Sequence, residues 1–127
     1  MTMRRTMAAV VVGTMLVTLG SAAPAMAGDD EKIRRGGCSG SADWKLKVKP
    51  DDGRLEVEAE VDSNVSGQTW HWRLRHNGSV SARGTSTTSG PSGSFDVERR
   101  MSNLSGTDRF RLRATHGGQV CRGRISW

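Results

Sequence analysis

Seven arginines recur at every second position of three segments: Arg73 and Arg75 in "WHWRLR", Arg109, Arg111 and Arg113 in "RFRLR", and Arg122 and Arg124 in "CRGR". A spacing of two places residues on one side of a β-strand, so each segment aims its guanidinium groups in a common direction. The planar fork of arginine grips phosphate, sulfate or carboxylate oxygens in bidentate fashion. The chemistry on offer is therefore recognition of anions. A second reading stays open: exposed arginines also solubilise a strand and oppose aggregation along it.

The other reactive residue types form no catalytic pattern. His71, His76 and His116 are the only histidines, and no two stand at metal-ligand spacing. There is no calcium-type acidic loop, no G-x-S-x-G elbow, no phosphate loop and no paired-carboxylate signature. No enzyme activity, cofactor or metal is expected. The glycine-rich "RRGGCSGS" reads as a flexible approach to Cys38 rather than an anion loop, and the glycosylation-type triplets at Asn64, Asn77 and Asn103 read as chance matches in a serine-rich chain. Interleaved tryptophan and arginine raise the possibility of base stacking on single-stranded nucleic acid. Alternation opposes it, because Trp70 and Trp72 point away from Arg73 and Arg75. Nucleic acid is not an expected partner.

Residues 1–27 are a different kind of sequence. Arg4 and Arg5 precede an apolar run from Ala8 to Leu19, and "SAAPAMA" ends in the small-x-small pattern of a signal-peptidase site. Cleavage is expected after Ala27, with no membrane span, because the apolar run is short and has a small-residue exit. The arginine pair alone does not make a twin-arginine signal, Cys38 lacks a lipobox, and no wall-sorting pattern follows. The expected location is extracellular, with the protein freely secreted. Residues 28–37, "GDDEKIRRGG", read as a disordered leader, and 38–127 as one domain. The whole chain has 19 basic and 13 acidic residues; setting aside Arg4 and Arg5 leaves 17 basic. Export makes a Cys38–Cys121 disulfide the default reading, worth roughly 4 to 5 kcal/mol for so long a loop.

Beyond the leader the apolar period is two. Trp44, Leu46 and Val48 alternate with lysines; Leu55, Val57, Ala59 and Val61 alternate with Arg54 and glutamates. A four-residue turn, Pro50 to Gly53, pairs Lys47 with Glu56, Lys45 with Glu58, and Leu46 with Val57, which makes the charged side a solvated strand face. In the third strand Trp70, Trp72 and Leu74 share the inner side. A three-residue His76-Asn77-Gly78 loop, with Gly78 left-handed in a bulge, pairs Leu74 with Val80 and Trp72 with Ala82, keeping apolar residues together. Phe95 and Val97 make a short strand. A Gly117-Gly118 turn pairs Ala114 with Cys121, Leu112 with Gly123 and Phe110 with Ile125. The same turn sets Arg113 opposite Arg122 and Arg111 opposite Arg124, like charges that destabilise a sheet unless an anion sits between them. The expected fold is all-β, a two-sheet antiparallel sandwich of about seven strands.

Trp72 before an "NG" hairpin, and "FDVERRMSNLSGTDRFRLRAT" as fifth strand, crossover and sixth strand, resemble the immunoglobulin-like β-sandwich over Ala42 to Trp127. Phe110 stands where that family has its corner tyrosine, while the usual inter-sheet cysteine pair is missing. The chain also resembles small secreted sandwich proteins of actinobacteria, and resembles actinomycete chromoprotein apoproteins in class only, which leaves small-molecule carriage a lesser option. The immunoglobulin resemblance implies that the third, sixth and seventh strands share a sheet, gathering Arg73, Arg75, Arg109, Arg111, Arg113, Arg122 and Arg124 on one outer face with His71 beside them. It also implies that Trp72 is the central packing residue. The leading expectation is a non-catalytic binding module for an anionic envelope or extracellular polymer: teichoic acid, lipid head groups, acidic polysaccharide or extracellular DNA. The alternative is a protein-recognition or inhibitor module acting through the loops "DSNVSGQ" and "TSTTSGPSGS". Nothing in the sequence demands an oligomer, and a monomer is expected.

Overall fold

The structure, a computed structural model, describes residues 30–127. The expected signal peptide, its helix, and residues 28 and 29 lie outside that range. Eight strands follow in order: β1 Lys32–Gly37, β2 Asp43–Asp51, β3 Arg54–Asp62, β4 Thr69–His76, β5 Ser79–Thr87, β6 Ser94–Ser102, β7 Arg109–His116 and β8 Gln119–Ser126. They form two four-stranded antiparallel sheets, ordered β1-β2-β3-β6 and β5-β4-β7-β8. No helix occurs among the described residues, and none is long and apolar enough to cross a membrane.

Over Lys32–Gly37, where a disordered leader was expected, the chain forms a strand. Lys32–Gly37 pairs with β2 along its whole length. The segment lacks an apolar stripe because its inward side is filled from its neighbour: Trp44 lies against Gly36, where a Cβ would come within 2.7 Å of the indole. The same ring presses on Gly123 of β8, where a Cβ would lie 2.6 Å away. Trp44 thus fills the space between the two sheets on the β1/β8 side.

Two hairpins differ from their expected registers. β2 and β3 turn through Asp52-Gly53 alone, both residues at positive φ (50° and 78°), and pair Lys47 with Glu58 and Leu46 with Ala59. The expected four-residue turn was displaced by two positions, which leaves every side chain on its expected face. Two consecutive left-handed residues match the strand twist, and Asp-Gly supplies them at low cost. β4 and β5 likewise turn through Asn77-Gly78 (φ 49° and 90°) rather than three residues. Arg75 then faces Val80, and a bulge between Leu74 and Arg75 restores the buried pairing as Leu74 with Ala82 and Trp72 with Gly84. One extra residue in β5 resolves the conflict between the favoured turn and the buried face. The β7–β8 register is as expected, with Cys121 opposite Ala114 and Gly123 opposite Leu112.

The core is a double layer of inward residues, chiefly Leu46, Val48, Leu55, Val57, Val61, Trp70, Leu74, Phe110 and Leu112, all buried. Trp72 does not occupy its centre. Its ring lies over Gly84 of β5, its Nε1–H donates to Ser86 Oγ (3.0 Å), and the Arg99 guanidinium sits 5.3 Å from the ring centroid. Trp72 and Trp44 plug the two open sides, with aliphatic residues between them. The expected disulfide joins Cys38, just after β1, to the fully buried Cys121 on β8, across the two sheets.

Candidate anion-binding face

All seven predicted arginines lie on the β4-β7-β8 part of one sheet, and the strand pairing orders them into rows. Arg83 of β5 faces Arg73, Arg73 faces Arg113, and Arg113 faces Arg122. The next row is Arg75, Arg111 and Arg124. Neighbouring strands lie about 4.8 Å apart, so a row of four spans roughly 14 Å. Arg109 stands apart from both rows, opposite Ser126. His71 flanks the first row between Thr85 and Thr115, its Nδ1 3.3 Å from Thr85 Oγ1.

None of these arginines has a carboxylate within salt-bridge distance among the described residues. The lysine and arginine ion pairs belong to the other sheet and its surroundings: Lys47–Glu58 (3.6 Å), Lys49–Glu56 (3.5 Å), Lys45 with Glu58 and Glu60 (4.0 and 3.9 Å), and Arg100–Asp51 (2.8 Å). There Glu58, Asp96 and Glu98 bring carboxylate oxygens within 4.8 Å of one another, and the two lysines beside Glu58 offset that cluster. The molecule is electrically two-sided. Crowding on the basic face lowers the pKa of Arg73, through Arg75 first, then desolvation, then Arg113 and Arg83. A cation whose folded-state pKa is lowered destabilises the fold at every pH below that value, so this cost is present throughout the neutral range.

A depression of about 550 Å³ opens among the rows, lined by Leu112, Gly123 and Trp44 between arginines of both rows. A second, about 600 Å³, adjoins it around Arg111, Arg124 and Ile125. Arg34 of β1 lines both. The sequence does not reveal Arg34 or Arg83 as part of this face: β1 has no apolar pattern to mark it as a strand, and the register expected for β4–β5 sets Ser81 opposite Arg73.

A buried carboxylate anchors the end of the face. Asp108, fully buried, accepts from His76 Nε2–H (2.6 Å) and from the Leu104 amide (3.2 Å), both at Oδ1. Its Oδ2 has no partner among the described residues. The Asp108 and Trp127 backbones exchange hydrogen bonds, and His76 stacks on Phe110 with centroids 4.5 Å apart. Asp108 adjoins Arg109 and His76 adjoins Arg75, so this corner fixes where the arginine strands begin and end. Nothing in the sequence singles out Asp108, which ends the polar crossover "MSNLSGTD". His116 stacks on Trp70 and its Nδ1 lies 2.7 Å from the Thr69 carbonyl. The two loops of the alternative reading interlock: Thr88 Oγ1 donates to the Val65 carbonyl, and the Ser63 amide donates to the Gly93 carbonyl.

Comparison with protein-family models, curated proteins and solved structures gave no match, for the immunoglobulin-like or the actinobacterial resemblance. The face itself carries the functional reading. Its cost gives a direct expectation. Arg113 faces arginine on both sides, so Arg113→Thr should raise stability at low salt by about 0.5–1 kcal/mol, or roughly 3–6 °C in Tm. Thermal melts at low and high salt check it: the gain should shrink as salt screens the repulsion. A lower Tm at low salt would contradict the crowding.

Proposed function

We propose that the chain is a secreted, non-catalytic, immunoglobulin-like module that binds an anionic polymer of the cell envelope or extracellular medium through its arginine face. One observation carries this reading: eight arginines, Arg83 included, face one side of one sheet with no carboxylate partner among the described residues. A merely solvated surface would gain from alternating charges, as the other sheet shows with its lysine–glutamate pairs. An anion lying between the rows turns mutual repulsion into shared attraction. The strand grouping supports the immunoglobulin-like part: β4, β7 and β8 lie in one sheet and β2, β3 and β6 in the other, with β1 added at an edge. The inter-sheet disulfide and the leader sequence support export.

Binding to immobilised teichoic acid and to a heparin-like polymer tests the reading. Arg111→Ser together with Arg124→Ser should lower affinity at least tenfold without lowering Tm. Unchanged binding by that variant would remove the face from the account.

A further inference from the structure

The two arginine rows enclose a groove that runs across the strands. Between Arg73 and Arg75 the chain turns Leu74 inward; between Arg111 and Arg113 it turns Leu112 inward; between Arg122 and Arg124 stands Gly123. The outer surface between the rows is therefore backbone, flanked by guanidinium groups about two residues, or roughly 6.6 Å, apart. Three facing pairs line it, Arg73/Arg75, Arg113/Arg111 and Arg122/Arg124. Arg83 extends the first row at the β5 edge. Arg34, on β1 of the other sheet, joins Arg111 and Arg124 in lining both depressions, so it stands beside the β8 end of the second row.

Charge is denser across the strands than along them. Successive arginines in a row are about 4.8 Å apart, whereas those along β7 are about 6.6 Å apart. A single linear chain with an anionic group on every backbone unit would have each group held from both sides by guanidinium forks. A carboxylate presents its two oxygens to one side only, so a polyuronate would pair with one row and leave the other unfilled. Trp70 and Trp72 are buried away from the groove, and Trp44, which lines its floor, is itself buried against Gly123, so bases on such a chain would find no exposed ring to stack on.

We propose that the groove holds a base-free linear phosphate chain lying across the strands, and that Arg83 and Arg34 are binding residues at its two ends. This inference rests on the reading of the face as an anion-binding surface. It predicts both the direction of the ligand and its charge spacing.

The test is fluorescence anisotropy with labelled linear polyphosphates of graded length. A glycerol-phosphate polymer, a polyuronate, and abasic and base-bearing DNA single strands serve as separate arms. Affinity should rise with chain length until the ligand spans a row of about 14 Å, then level off per site. Arg83→Ser and Arg34→Ser should each weaken polyphosphate binding at least fivefold, and Arg109→Ser less than twofold. Polyuronate should bind at least tenfold more weakly than polyphosphate, and bases should add nothing to abasic DNA. The glycerol-phosphate arm shows whether direct phosphate linkage or phosphodiester spacing fits better, and either ranking above polyuronate supports the proposal. If Arg109→Ser costs more than Arg83→Ser and Arg34→Ser, the ligand runs along β7 and the proposal fails while the anion-binding face stands. Equal binding of polyuronate, or tenfold tighter binding of base-bearing DNA, overturns the phosphate-chain assignment in the same way. Failure of every polyanion to bind overturns the underlying reading instead.

Discussion

Reduction of Cys38–Cys121, or its removal by Cys38→Ala with Cys121→Ala, is expected to lower the free energy of unfolding by about 4.5 kcal/mol. The bridge spans a sequence separation of 83, nearly the whole described chain, so it strongly restricts the unfolded ensemble. Small domains hold only about 5–15 kcal/mol in total, so the loss is a large part of the margin. Folded-state geometry adds to the case. The bridge joins the edge strands of opposite sheets, where β1 contributes little apolar surface of its own and Trp44 is held between Gly36 and Gly123. The Ser39 amide donates to the Val120 carbonyl and the Val120 amide donates to Ser39 Oγ, bonds that do not need the bridge, so reduction should not abolish local docking of the loop. Denaturant unfolding with and without reductant measures the effect. A loss below 1 kcal/mol would mean that the unfolded chain is already compact or that the sheets hold without the staple.

The second large effect is expected at Asp108. Asp108→Ala should cost about 3–5 kcal/mol, because it removes the acceptor shared by His76 and the Leu104 amide inside a closed corner. Asp108→Asn keeps an oxygen for both donors and should cost less than half as much. His76→Ala should also be expensive, since it leaves the buried carboxylate with the Leu104 amide as its only partner. The double variant should cost less than the sum of the two, the mark of a coupled pair. Additive losses, or Asp108→Ala within 1 kcal/mol of wild type, would contradict this account. Because Arg75 and Arg109 adjoin the pair, Asp108→Asn should also broaden their backbone NMR signals before it changes those of Arg122.

The features that the sequence made legible are those governed by parity. Burial on one side of a strand fixes which residues point inward, so the faces of β2, β3, β4, β7 and β8 could be assigned residue by residue. The Gly117-Gly118 turn fixed the β7–β8 register, and with it two arginine pairs. Parity cannot detect a shift of two, so it does not distinguish the Asp52-Gly53 turn from a longer one. Nor does it locate a bulge: the one expected at Gly78 stands between Leu74 and Arg75, which sets Arg83 opposite Arg73. β1 was illegible for another reason: an edge strand can be held by backbone pairing and a neighbour's indole, with no apolar pattern of its own. Asp108 was invisible because its role depends on His76, 32 positions earlier, and on Trp127, joined only by the fold.

The central claim is that the arginine face exists to be neutralised by a polyanion. The most direct test is the dependence of the binding constant on salt for a linear phosphate polymer. If four to seven arginines each displace a counterion, log K should fall against log salt with a slope of about −3 to −5, and Arg111→Ser with Arg124→Ser should reduce that slope by about 1.4. A binding constant unaffected by salt, or a slope unchanged in that variant, would show that the arginine rows are only solvated surface.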